Sequence, residues 1–222
     1  MKSLFFQAIS KYILGVVLVG ALLFVPAWSF HYWNAWLFLG ILFVPMFIAG
    51  LVMLWKNPQL LQKRLDAKEK ETEQKSVIVL SGLMFLAAFI VAGLDWHFGW
   101  TNMPVWVVWV SVGLFLLSYL LYAEVLRENT YLSRTIEVQE DQKVIDTGLY
   151  GIVRHPMYMA TLVLFLSMPL VLGSLYSFLI MLVYIPIIAK RIRNEEKVLE
   201  TGLPGYIEYK QKVKYKVSPF IW

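Results

Sequence analysis

The 222-residue chain is 59% hydrophobic and only 16% charged, and it has no cysteine; its mean hydropathy is +0.63. Soluble domains average about 45–50% apolar and about 25% charged residues, so this composition excludes a disordered chain and argues against a water-soluble globule. Without cysteine there is no disulfide framework, no Cys-based zinc site and no thiol nucleophile, and the net charge of +5 fits the basic loops of a membrane protein better than a nucleic-acid partner.

A membrane-spanning helix needs about 20 mostly apolar residues. Four runs qualify, Tyr12–Phe30, Trp33–Trp55, Ser76–Phe98 and Pro104–Leu126. The apolar stretch Pro156–Ala189 is too long for one span and is broken by Leu172-Gly173-Ser174, a turn-forming triplet. It reads as a hairpin of two short helices, about 157–172 and about 175–193, with the first only about 24 Å long. The predicted fold is an all-α polytopic transmembrane helical bundle of four long spans plus a short C-terminal hairpin, five to six membrane segments in all. The chain reads as one domain over 1–222, with a four-helix membrane part (1–126) and a polar-rich part (127–222).

Charge sets the expected orientation. All 20 lysines and arginines fall before the first span, between spans two and three, after span four or after the hairpin, and none lies near 30–34, 99–103 or 172–175. The positive-inside rule puts both termini in the cytoplasm. Trp28, Trp33, Trp36, Trp96, Trp100 and Trp106 gather at the opposite turns as an aromatic belt. Ala27-Trp28-Ser29 loosely resembles a signal-peptide cleavage site, but the apolar run is long and a second span follows at once, so an uncleaved first helix is expected. Residues 56–75 read as a solvated, mixed-charge helical connector.

Two polar segments are too specific to be connectors. The first, Glu128–Tyr158, contains Asp146-Thr147-Gly148-Leu149-Tyr150 and Arg154-His155-Pro156-Met157-Tyr158. Pro156 suits the first position of a helix, whose free N–H groups favour a polar or anionic ligand group; the competing reading is a snorkelling Arg154 with interfacial His155 and Tyr158. The second segment, Lys190–Trp222, places Arg191 and Glu195 one turn apart, as an ion pair or as two ligand contacts. Glu196, about 100° further round, is expected to face solvent. Leu203-Pro204-Gly205 ends that helix, and the basic tail beyond Tyr206 and Tyr209 is expected to lie at least in part on anionic lipid. Asp95 and Glu124, near span ends, are ionisable residues at membrane depth and so are functional candidates. His31, His97 and His155 divide between the two sides and no His/Asp/Glu trio has ligand spacing, so no metal is expected. No dinucleotide-binding glycine motif, phosphate-binding loop or nucleophile elbow occurs.

Together the two segments resemble the isoprenylcysteine carboxyl methyltransferase family, within the integral-membrane methyltransferases. The resemblance runs from Glu128 to the end and is carried by Gln139, Val144–Tyr150, Arg154–Tyr158, Arg191–Leu199 with its Glu195-Glu196 pair, Gly205-Tyr206-Ile207-Glu208-Tyr209 and Val213. It implies an S-adenosylmethionine site on the cytoplasmic side, held by Gln139, Gln142, Lys143, Val144, Ile145, Tyr150, His155, Pro156, Met157, Tyr158 and Glu195. Arg191 matches the family's acceptor-orienting arginine. Gln142 stands where the family has histidine, and Arg193-Asn194-Glu195-Glu196 replaces a more acidic run. The chemistry fits this inventory: a sulfonium methyl is already activated and needs mainly in-line positioning, tyrosine faces attract a sulfonium cation, and an arginine fork holds an anionic group. The implied partners are membrane lipids and a lipophilic acceptor, with a carboxylate of the isoprenylcysteine kind first and a phospholipid amine or small thiol as alternatives. Two other classes remain open at this level: a nicotinamide-dependent membrane reductase related to sterol reductases, and a non-enzymatic membrane scaffold.

Overall fold

The structure is a computed structural model that describes residues 2–65, 72–132 and 138–222; of the basic residues, Lys68, Lys70 and Arg134 lie outside the described residues. The described chain is all helical: α1 (Lys2–Ala27), α2 (Trp33–Lys56), α3 (Pro58–Leu65), α4 (Thr72–Phe98), α5 (Val105–Glu128), α6 (Pro156–Val171), α7 (Leu175–Met181), α8 (Tyr184–Gly202) and α9 (Tyr206–Lys212), with a single 3₁₀ turn at Gly148–Gly151. Five segments are long and apolar enough to cross a membrane, the fifth being Leu175–Gly202, and α6 is a shorter apolar helix. The protein is an integral membrane protein, with the four long spans and the C-terminal hairpin in the order the hydropathy predicts.

The helix ends follow from local chemistry. Gly173 adopts φ +76°, a left-handed conformation that costs glycine little. Ser174 then caps α7 by accepting the Ser177 N–H at 3.1 Å. Pro156 opens α6 at the first position, as expected. One expectation fails: the helix predicted over 175–193 is broken after Met181, and its second part runs on to Gly202. Pro186 explains the break. It has no N–H to offer the Leu182 carbonyl and its ring crowds that carbonyl, so Leu182 O accepts from Ile185 instead (3.1 Å) and the chain re-enters the helix as α8. α3 forms within the connector, as its helical reading expects.

α6 packs chiefly along α5, and α4 takes α1, α7 and α8 around it. α1 and α4 approach most closely at Gly93, where a Cβ would meet the Leu23 carbonyl oxygen at 2.6 Å. Phe38, Phe115, Tyr32 and Leu23 are fully buried in the core between these helices.

Polar contacts tie the bundle at both ends. At one end Asp95, 2% exposed, accepts from the Thr101 N–H (2.7 Å), the Thr101 hydroxyl (2.7 Å) and the Ser174 hydroxyl (2.5 Å). Nearby, the Tyr32 hydroxyl donates to Leu172 O (2.7 Å) and Asn34 to Val171 O (2.8 Å). Asp95, a functional candidate from sequence, is thus a fully paired structural latch between α4, the 99–104 turn and α7. At the other end Lys11 donates to Leu65 O (2.6 Å) and Lys190 to the Ser76 hydroxyl (3.1 Å). Glu124, the other acidic candidate, pairs with Arg127 on the surface at 2.6 Å.

By the positive-inside rule the Lys11/Lys190 end is expected in the cytoplasm, and cysteine labelling tests this cleanly because the chain has no native cysteine. Asn102 and Gln211 are both exposed, at opposite ends of the bundle. Asn102→Cys is expected to react with an impermeant maleimide on intact cells, and Gln211→Cys only after permeabilisation. The reverse pattern overturns the orientation.

Candidate functional site

The two polar segments converge beside the short hairpin. The 3₁₀ turn is positioned by Glu128, the last residue of α5, whose carboxylate accepts the Leu149 N–H at 3.2 Å. Gly148 is required there. It has φ +51°, and a Cβ would lie 1.9 Å from the Glu128 carboxylate. This turn delivers Tyr150, 7% exposed, to the site; its hydroxyl accepts from Asn129 at 2.9 Å and its carbonyl from the Tyr209 hydroxyl at 2.7 Å. Gly205, with φ +84°, lets the chain turn into α9. Leu203, Tyr206, Tyr209 and Val213 then form a small second core against Val138, Val144 and Leu199.

Between these parts lies a cavity open to solvent and lined by residues of both polar segments. At its centre the Tyr158 hydroxyl, on the first turn of α6, donates to Glu195 Oε2 and accepts from Arg191 Nε at 3.0 Å. The i,i+4 pair on α8 is therefore bridged by a tyrosine from another helix. Tyr206 supplies a different kind of group. It is 4% exposed, lines the cavity, and its hydroxyl has no hydrogen-bond partner among the described residues. Burial pushes the Tyr206 phenol well above its ordinary pKa, and the Glu196 and Glu195 charges push it further. It therefore remains an O–H donor, and a buried unpaired donor is costly unless a ligand meets it.

Arg154 and His155 in the cavity wall belong to a buried ionic cluster that overturns the solvent-facing Glu196 and the snorkelling Arg154. Glu196 does not face solvent; it is 4% exposed. Its Oε1 accepts from Arg154 Nε (2.9 Å) and lies 3.3 Å from His155 Nε2, and its Oε2 meets Lys216 Nζ at 2.8 Å. A carboxylate only accepts, so the histidine contact puts a proton on Nε2. Nor does Arg154 snorkel. It is buried, and its Nη1 donates to the carbonyls of Val213 (2.7 Å) and Lys214 (2.8 Å). The tail, finally, folds back rather than lying wholly on lipid. The N–H groups of Arg154 and His155 donate to Tyr215 O and Lys216 O at 2.9 and 2.8 Å, and Val213 and Val217 are buried. An arginine with three acceptors and a carboxylate with three nitrogen partners satisfy one another in the interior.

Of the residues expected to hold a cofactor, Gln142, Lys143, Val144, Ile145, Tyr150, His155, Met157, Tyr158 and Glu195 all line the cavity, as does Arg191. Gln139 and Pro156 are not in its lining. Gln139 ties the loop instead: its side chain donates to Tyr131 O, and its N–H donates to Gln142 Oε1 at 2.9 Å. Pro156 acts through the backbone by starting α6. Sequence reasoning left Asn129, Tyr131, Leu199, Leu203, Tyr206 and Tyr209 without a site role, yet they too line the cavity. For the last two the signal was present, because the i,i+3 spacing in Gly205-Tyr206-Ile207-Glu208-Tyr209 puts both rings on one helix face. Among the described residues no group of His, Asp and Glu is arranged to hold a metal.

Residues 106–203 match a family model described as phospholipid methyltransferase. That stretch contains all but the first residue of α5, together with α6, α7 and α8, and over it the chain is similar to integral-membrane methyltransferases. The match does not single out the isoprenylcysteine enzymes among them. Among curated proteins the chain is also similar to the Delta(14)-sterol reductase TM7SF2 of Mus musculus, with 28% identity over 91 residues. The alignment covers 40% of this chain and 22% of that protein, so the chain spans about a fifth of that relative's length.

Proposed function

We propose that the chain is an S-adenosylmethionine-dependent methyltransferase that acts on a lipophilic acceptor taken from the membrane, either an isoprenylcysteine-like carboxylate or a phospholipid amine. The observation that carries the reading is the cavity itself, where the Arg191–Tyr158–Glu195 bridge meets tyrosine faces and the unpartnered Tyr206 hydroxyl. Similarity to phospholipid methyltransferases over residues 106–203 supports it.

The residues present fit the cofactor. Glu195 can accept from its hydroxyl or ammonium groups, Tyr206 can donate to its carboxylate, and the rings of Tyr150 and Tyr158 suit a sulfonium. When bound, S-adenosylmethionine supplies an electrophilic methyl group: the acceptor's lone pair bonds to that carbon as the carbon–sulfur bond breaks and S-adenosylhomocysteine leaves. This chain's contribution is positioning. Tyr158 holds Glu195 toward the cofactor and Arg191 toward the acceptor. A carboxylate acceptor needs no base, whereas an ammonium must first lose a proton, for which Glu195 is the one carboxylate among the described lining residues.

A second reading, a nicotinamide-dependent reductase, is favoured by the similarity to the sterol reductase. Calorimetry on the purified protein separates the two. S-adenosylhomocysteine is expected to bind and NADPH is not, with Tyr206→Phe weakening S-adenosylhomocysteine several-fold. Binding of NADPH but not S-adenosylhomocysteine overturns the transferase reading, and binding of neither favours a scaffold.

A further inference from the structure

Arg64, on α3, is held against α5 in an incomplete hydrogen-bonding state. Its Nη1 donates to the Tyr122 hydroxyl of α5 at 2.8 Å, and its guanidinium carbon lies 5.5 Å from the centre of that ring. The end of α3 is anchored by the Lys11–Leu65 contact at 2.6 Å. Arg64 Nε and Nη2, however, are buried and have no partner among the described residues. A snorkelling arginine keeps its head in water; this one has two donors shut away from it.

The two nitrogens are the adjacent pair that forms the side edge of the guanidinium. Two parallel N–H bonds on that edge match two oxygens of a carboxylate or phosphate. The location is also suitable. Tyr122 stands two helical turns, about 10 Å, before Asn129 in the cavity wall, and Asn129 bonds Tyr150. The Arg64 charge is felt at that ring: burial raises the Tyr150 phenol, and Arg64 is among the groups that draw it back down.

The geometry points to Arg64 and Tyr122 as an oxyanion subsite that receives the carboxylate or phosphodiester of the lipophilic acceptor, with the acceptor's reacting atom in the cavity. Its place in catalysis rests on the transferase reading; its anion binding does not.

The test uses full-length protein in detergent, loaded with S-adenosylhomocysteine, with binding read by thermophoresis. The probes are N-acetyl-S-farnesylcysteine, its neutral methyl ester, dihexanoylphosphatidylethanolamine and inorganic phosphate. At least one anionic amphiphile is expected to bind more tightly than the methyl ester. Arg64→Gln should weaken that amphiphile about 10- to 150-fold, the usual range for a lost hydrogen bond to a charged group, while affinities for the methyl ester and S-adenosylhomocysteine stay unchanged. Preference for the carboxylate or for the phosphodiester identifies which acceptor head the subsite takes. Arg64→Lys keeps the charge but not the fork and should fall clearly below wild type, which preserves the test if the glutamine variant does not fold. Wild-type preference for the anionic amphiphiles in either variant overturns the subsite. Inorganic phosphate binding as tightly as the amphiphiles overturns a lipid headgroup as its occupant. Absence of methyl transfer to every probe, with the Arg64-dependent preference intact, defeats the transferase reading alone.

Discussion

Arg154→Met is expected to lower the thermal midpoint by roughly 6–20 °C. This follows from the loss of about 3–5 kcal/mol when one partner of a buried ion pair is removed, spread over a chain of this size. The side chains of Arg154 and Glu196 are only 4% and 5% exposed, so solvent cannot replace the lost partner. The consequences extend to the tail, because the same guanidinium holds the carbonyls of Val213 and Lys214. Limited trypsin digestion should therefore cut after Lys210, Lys212 or Lys214 much faster in the variant. Arg154→Lys should recover little, since a single ammonium cannot serve a carboxylate and two carbonyls with the geometry of a planar fork. Glu196→Gln should be comparably destabilising for the converse reason, leaving Arg154 and Lys216 without their shared anion. An Arg154→Met protein with a wild-type midpoint and a protected tail would contradict the assignment of this cluster as the clamp on the cavity's rear wall.

Glu195→Ala is expected to weaken S-adenosylhomocysteine about 10- to 150-fold by calorimetry, the range for losing a hydrogen bond to a charged group. Tyr158→Phe should give part of the same loss, because it removes the hydroxyl that holds both Glu195 and Arg191. The Tyr158→Phe, Glu195→Ala double variant should lose less than the sum, as residues that share one contact are coupled. Arg191→Lys should behave differently, changing the kinetics toward the acceptor while leaving cofactor affinity nearly intact. Unchanged S-adenosylhomocysteine affinity in folded Glu195→Ala removes that carboxylate from the proposed site. Equal losses of cofactor affinity in Arg191→Lys and Glu195→Ala would mean that the pair acts only as a structural unit.

Those properties set by the local chain were legible before any coordinates. Runs of apolar residues long enough for a bilayer located the four long spans, the Leu172-Gly173-Ser174 triplet marked the hairpin turn, and Pro156 marked the start of α6, because each depends on covalent geometry or on contiguous hydropathy. The convergence of 128–158 with 190–222 was equally readable, since a short hairpin must return both flanks to one side. Tertiary structure alone decided what each polar side chain does there. The i,i+4 rule joined Arg191 directly to Glu195, whereas Tyr158 of another helix stands between them. Helix angle alone sent Glu196 to solvent, whereas its partners Arg154, His155 and Lys216 arrive from as far as 42 residues away. Arg64 meets Tyr122 across 58 residues. Helical periodicity ranks the faces of one helix, but a buried charge goes to the face where opposite charge and carbonyls collect, and that is determined only when the helices pack.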